Sequence, residues 1–271
     1  MRTMPKAPEG PYTTINGQPI YDSNNNNNVI EAKVVNDINN DFTLLTPISS
    51  SEVRTNFISK VYSILWVQLM ITSIFIGCCN QLEPVQKFML SPTGYSLMFP
   101  VTILLLTMTC MLSCYQNTLR TKPYSFIYLS VFTILMSYIV GYTGIAYKLN
   151  TLLLSGISTL SIFSGLSIYA IQTKYDYTDK GGYLLAGLFG LMLLSIFISF
   201  TNYTTISIVY AVGGSVLFSF YIVYDTQLIV GGEHKKIMFH TDDYVLASVS
   251  LYLDVINLFL MILRLLNGER E

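Results

Sequence analysis

Past residue 52 the chain falls into seven apolar runs of roughly 18–25 residues, the length a bilayer core demands of a helix. They cover about Ile58–Cys79, Ser96–Cys114, Tyr124–Tyr147, Thr151–Thr173, Tyr183–Phe200, Thr205–Val230 and Tyr244–Leu266. The polar breaks between them are short, which predicts that successive spans pack as antiparallel neighbours. Pro100, near the start of span two, is tolerated as a first-turn residue or a kink. Small residues recur at spacings that let helix backbones approach: Ser137 and Gly141, Ser155 and Thr159, Ser161 and Gly165, Gly187 and Gly190. Trp66, at mid-span, reads as a core residue. The tyrosines cluster near span ends, where aromatic belts form.

Residues 1–52 break the pattern. Pro5, Pro8, Pro11 and Pro19 punctuate a polar stretch that runs through Asn24–Asn28 to Asp41. Such a segment has too little apolar area to offset the entropy of ordering, so it is predicted to be a disordered cytosolic tail. It lacks the basic-then-apolar start of a secretory signal, leaving span one to direct insertion. The membrane domain is then 53–267.

Composition agrees. Hydrophobic residues make up 52% of the chain and charged ones 11%, with mean hydropathy +0.50. A soluble domain is about a quarter charged, so this chain cannot coat a water-facing surface. The fold class is all-α: a polytopic membrane protein built as a seven-helix bundle. A net charge of −1 gives no footprint for nucleic acid. Lys and Arg set the orientation. With the N-terminus cytosolic, the inner segments hold Arg54, Lys60, Arg120, Lys122, Lys174, Lys180, Lys235 and Lys236, besides Arg2, Lys6 and Lys33; the outer ones hold Lys87, Lys148, Arg264 and Arg270. Seven crossings put the C-terminus outside, unless span seven, polar at Asp254 and Asn257, is re-entrant. Cys78 and Cys79 lie toward one side of the membrane and Cys110 and Cys114 toward the other, which excludes a disulfide framework. Cys110 and Cys114 read as buried small side chains, since a metal would need further ligands nearby.

Two of the apolar spans carry an acid. Span six holds Tyr221-Ile-Val-Tyr224-Asp225-Thr-Gln227 and span seven holds Ser250-Leu-Tyr252-Leu-Asp254-Val-Ile-Asn257. An ionised carboxylate at the bilayer centre costs some ~2.5–3.5 kcal/mol, so each marks a functional-site hypothesis. Counted from the shared loop at 231–243, Asp225 lies roughly 9 Å deep and Asp254 roughly 16 Å at the helical rise, both in the cytosolic half. Ala247, Ser250, Asp254, Asn257 and Met261 form one stripe that should face the bundle; Leu253, Ile256, Leu260 and Leu263 form an apolar face for lipid or other helices. Two close carboxylates in low dielectric do not both ionise readily, and their titration belongs to the pair. The pair reads as a proton sensor or, deprotonated, as a weak and transient calcium site. The plainer alternative is that backbone, hydroxyls such as Thr226 and Tyr252, or a basic residue satisfies each acid separately. Tyr224, Ser250 and Asn257 are the supporting polar residues.

Arg120 follows span two on the inner surface. Its guanidinium is either a latch on the carboxylates or an ordinary positive-inside anchor. His234 and His240, with Glu233, Asp242 and Asp243, read as a solvated loop rather than a metal or pH site.

The motif Tyr221 to Gln227, followed by Gly231-Gly232, then Leu251-Tyr-Leu-Asp254-Val-Ile-Asn257-Leu-Phe-Leu and Leu263-Arg264-Leu-Leu, closely resembles the signature of the Bax inhibitor/Lifeguard (TMBIM) family. Lys60-Val-Tyr-Ser-Ile-Leu-Trp-Val-Gln68-Leu and Ala170-Ile-Gln-Thr-Lys174 fit it too, and the likeness covers about 54–267. The resemblance implies a seven-helix fold and a pH-sensitive calcium leak across endomembranes such as ER or Golgi, or the plasma membrane. It also implies modulation of cell death with its regulators as partners, Asp225 and Asp254 as the proton-sensing pair, and Arg120 as the latch. Calcium is then the transported ion, with no cofactor and no enzyme activity. Family members often carry a glutamate in helix three where this chain has Met136, which implies weaker conduction or another path. Two other classes compete. An intramembrane aspartyl protease also has a Tyr-Asp dipeptide, but it needs Gly-x-Gly-Asp where this chain has Leu-Tyr-Leu-Asp254, and no Pro-Ala-Leu follows. A seven-helix receptor would need an outer N-terminus and an acid-Arg motif after span three. A non-transporting scaffold would bind through the tail.

Overall fold

The structure, a computed structural model, describes residues 51–114, 124–200, 204–231, 239 and 242–268. Eight α helices and one 3-10 turn make up the described elements: α1 Ser51–Gln81, α2 Glu83–Met89, α3 Pro92–Cys114, α4 Tyr124–Gly144, α5 Leu149–Gln172, the turn Thr178–Lys180, α6 Gly181–Phe200, α7 Thr204–Val230 and α8 Tyr244–Gly268. Seven are long and apolar enough to cross a bilayer; the short α2 lies between spans one and two. This is an all-α polytopic membrane protein. The predicted tail over 1–52 lies outside the described residues apart from its last two, which open α1.

The bundle is organised around α8. Of its most apolar stretch, 72% of the residues are buried, against 17% for α3 and none for α6. A helix apolar all round belongs in the interior, and α8 packs on α7, α1, α5 and α4. It is one unbroken helix, as a full span requires. Of the two alternatives for its Leu253 side, other helices take most of it: Ile256 and Leu263 are buried, and Leu253 and Leu260 are half-buried against the core. The ammonium of Lys60 sits 5.8 Å from the Tyr244 ring, so the starts of α1 and α8 share one end of the bundle, called the N-terminal face below.

Sequence neighbours pair less than short connections suggest. Spans six and seven pack (α7 on α8), as do five and six (α6 on α7) and two and three (α3 on α4). The other principal contacts skip along the chain: α1 lies on α4 and α8, and α5 on α7 and α8. A buried central helix accounts for part of this, because α1 and α5 each take a place against α8.

Outward-facing positions also depart from expectation. Trp66 is 56% exposed, and Cys110 is exposed too; both face the surface that lipid would cover. The side chain of Cys114 lies outside the described set. Of the small-residue pairs, Ser137, Gly141, Ser155 and Thr159 are buried at helix contacts, whereas Ser161 is exposed and nothing lies within 4 Å of a Cβ on Gly165 or Gly190. At Gly141 a Cβ would stand 2.8 Å from the Phe75 ring, so α1 and α4 close over a missing side chain. Gly141→Leu should therefore lower the thermal stability of the detergent-purified protein, by about 1–3 kcal/mol as overpacking does. Gly165→Leu should leave the melting temperature unchanged.

Candidate functional site: a carboxyl pair inside the bundle

Helix α7 ends where Gly231 adopts φ 60 and donates its N–H to Gln227 O at 2.9 Å, a left-handed cap that only glycine accepts freely. Nearly two turns before that cap stands Asp225. On the partner helix α8, Asp254 lies near the middle. The helices approach closely because Gly214 leaves room for Met261, whose sulfur would lie 2.6 Å from a Cβ there. In this contact both acids are buried, 7% exposed at Asp225 and 6% at Asp254. Their carboxyl groups are within hydrogen-bonding reach of each other. A hydrogen bond between two carboxyl groups requires a proton between them. Tyr221, one turn before Asp225, lies close to both acids. Asp254 Oδ2 and Thr226 Oγ1 are buried and have no hydrogen-bond partner among the described residues.

The other predicted residues are dispersed. Tyr224 does not join the pair: its hydroxyl lies against Gly181 at the start of α6, 2.7 Å from where a Cβ would be. Ser250 and Asn257 are half-buried on α8, and Asn257 Nδ2 donates to Leu253 O of its own helix at 2.8 Å. Ala247 and Met261 are buried, as the stripe requires. Arg120 lies outside the described residues, and so do Lys122, Glu233, His234 and His240. Met136 is half-buried and packs on the core. Among the described residues no group of three or more His, Cys, Asp or Glu side chains comes together. A calcium ion at Asp225 and Asp254 would therefore complete its oxygen shell from hydroxyls, carbonyls or water.

Two buried polar systems were not anticipated. The first is a clamp at Gln227, which is 0% exposed. Its Oε1 accepts the Tyr177 N–H at 2.8 Å and its Nε2 donates to Tyr175 O at 2.9 Å, tying α7 to the turn between α5 and α6. The second joins α1, α4 and α8: Tyr252 OH meets Thr72 Oγ1 at 2.8 Å, Thr72 meets Ser137 at 3.0 Å, and Gln68 Nε2 donates to Thr133 Oγ1 at 3.1 Å. Its signal was in the chain. Gln68 and Thr72 are four apart, as are Thr133 and Ser137, and each pair thus shares one helix face.

Comparison with known proteins bears on the same residues. A family model described as inhibitor of apoptosis-promoting Bax1 matches residues 54–271. Human "Protein lifeguard 3" is 32% identical over 231 residues, covering 81% of this chain and 70% of the relative. Its mouse counterpart is 30% identical over 226 residues, 81% and 71% respectively. Mouse "Protein lifeguard 4" is 31% identical over 236 residues, spanning 86% of this chain and 94% of that protein.

The two polar systems should differ in weight. Gln227→Leu removes both hydrogen bonds that tie α7 to the Tyr175–Tyr177 turn and buries an apolar side chain in a polar, part-buried contact, a loss of about 1–3 kcal/mol. Tyr252→Phe removes one interhelical hydrogen bond, worth roughly 0.6 kcal/mol in membrane bundles. Unfolding in mixed micelles should rank Gln227→Leu as clearly the less stable.

Proposed function

The chain belongs to the Bax inhibitor/Lifeguard family, and on that footing we propose that it is a pH-sensitive calcium leak gated by the Asp225–Asp254 pair. The observation that carries this reading is the contact of two buried carboxyl groups on adjacent helices. With a proton between them the pair carries a single negative charge and each carboxyl answers the other. Once the proton leaves, two carboxylates face each other in low dielectric, and they must separate, pair with a cation, or draw in water. A divalent ion with oxygen preference suits that second state. The proton and calcium thus compete for one place.

Arg120 is the proposed latch, a fork of donors able to hold a carboxylate from the same inner surface. Met136 stands where family members often carry a glutamate, so conduction here leans on the aspartate pair alone. Asp225 and Asp254 act as an ion-binding dyad; the family is not one of known enzymes. The setting we assign is an endomembrane store, ER or Golgi, with the tail over 1–52 as the cytosolic element that meets cell-death regulators. Control of store calcium is then the route by which the protein restrains cell death.

Purified protein in calcium-loaded liposomes should pass calcium slowly, at a rate that changes with pH. Asp225→Asn and Asp254→Asn keep the shape of each side chain and remove its charge, so each should flatten that profile. An unchanged profile in both variants would sink the assignment of the sensor.

A further inference from the structure

Helices α1 and α5 both pack on α8, yet neither is among the other's principal neighbours. They come together at two levels. Near the N-terminal face the Tyr62 and Phe163 rings stand 6.4 Å apart, and toward the opposite end Ile76 and Leu152 both close on Gly144, 3.3 and 3.6 Å from where its Cβ would be. Between those levels lies a groove of about 280 Å³, floored by Val255, Ile256 and Phe259 of the central helix. Gly156 on α5 keeps it open, since nothing lies within 4 Å of a Cβ there. From Trp66 to Ile76 the groove follows α1 for roughly 15 Å at the helical rise. Its rim on α1, formed by Trp66, Met70 and Ile74, is exposed on the surface that lipid would cover. The gap is a side window in the bundle, through which a molecule dissolved in the bilayer reaches α8.

The chemistry of the walls selects the occupant. No charged side chain lines the groove. The two hydroxyls buried in it are already committed: Thr159 Oγ1 donates to Ser155 O at 2.7 Å, while Thr72 Oγ1 meets Gln68 O at 2.9 Å and Tyr252 OH at 2.8 Å. The other polar side chains of the lining, Trp66 and Ser73, stand at the exposed rim. A headgroup drawn inside would lose its water without gaining an ion partner, whereas a hydrocarbon has nothing to lose. Width excludes a transmembrane partner, because a helix about 10 Å across fills roughly 1,200 Å³ over the same length. An extended peptide would bring in backbone N–H and C=O groups that the walls cannot answer.

We propose that this window binds one acyl chain of a bilayer lipid, lying along α1 between Trp66 and Ile76 and touching α8 at Val255, Ile256 and Phe259. These three side chains leave α8 roughly 100–200° from Asp254, on the flank that Tyr252 shares. The chain therefore lies away from the carboxyl pair and beside the Thr72–Tyr252 contact, and it supplies the dispersion contacts that the apolar floor would otherwise lack. The site stands whatever the carboxyl pair conducts.

The test uses the full chain in phosphatidylcholine liposomes doped with a phosphatidylcholine that carries a diazirine midway along one acyl chain. After illumination, peptide mapping should find label on 255–259 well above that on 247–251 of the same helix, although Val255, Ile256 and Phe259 are buried. Gly156→Phe, which fills the window from α5, should lower the label on 255–259 at least about tenfold and leave that on the exposed face of α6 unchanged. Gly165→Phe, at an equally open position of α5 outside the groove, should label as the parent does. Added cholesterol should not suppress the label on α8. Label on 255–259 no higher than on 247–251, or undiminished in Gly156→Phe, would overturn the proposal. Suppression by cholesterol would overturn it too, by giving the window to a sterol.

Discussion

A carboxyl group carried into the interior of a membrane bundle has to be answered, because leaving it charged and alone costs several kcal/mol that no local packing returns. Asp225 and Asp254 answer each other, and much of the architecture follows from keeping them in place. Their helices must touch, which the absent side chain at Gly214 permits. Helix α8 must lie inside, where its acid is shielded on all sides. Helix α7 must not slide, and Gln227, half a turn beyond Asp225, fastens it to the turn that joins α5 to α6.

The central helix is also held from its other side. Tyr252 and Asp254 are two residues apart on α8, so their side chains leave the helix roughly 200° from each other. While Asp254 meets α7, Tyr252 reaches Thr72 of α1, which in turn meets Ser137 of α4. Two polar contacts at nearly the same depth grip α8 from opposite sides, so neither helix rotation nor translation can relieve one without straining the other. In the proposed gate, separation of the acids on losing their proton acts on α7 first. It is the more exposed of the two helices, and its motion passes directly to the α5–α6 turn through Gln227.

How much of this the chain disclosed depends on what a residue has to distinguish. The spans were legible because bilayer thickness imposes a length, and the helices fall within a few residues of the expected ends. The acids were legible because a charge in such a span has to be explained. Which face looked inward was not, since in a membrane the core side and the lipid side are both apolar and hydropathy no longer separates them. Trp66 and Cys110 therefore point outward against expectation, and hydropathy alone left open whether lipid or helices cover the Leu253 side of α8. Polar residues at a spacing of four, Gln68 with Thr72 and Thr133 with Ser137, are the marks that do separate the faces. Connection length misled about partners, because α1 packs on α4 and α8, and α5 on α7 and α8, past the spans next to them in the chain. Tyr224, beside Asp225 in sequence, turns to Gly181 because adjacent helical residues diverge by about 100°.

The claim on which the account stands is that a single proton is held between these two carboxyl groups. Infrared difference spectroscopy of the reconstituted protein reads it directly, through the carbonyl band of a protonated carboxyl and its loss on raising the pH. The account predicts that the parent protein shows such a band, titrating as one proton, and that Asp225→Asn/Asp254→Asn lacks it. Spectra that are the same for both proteins at every pH would contradict it.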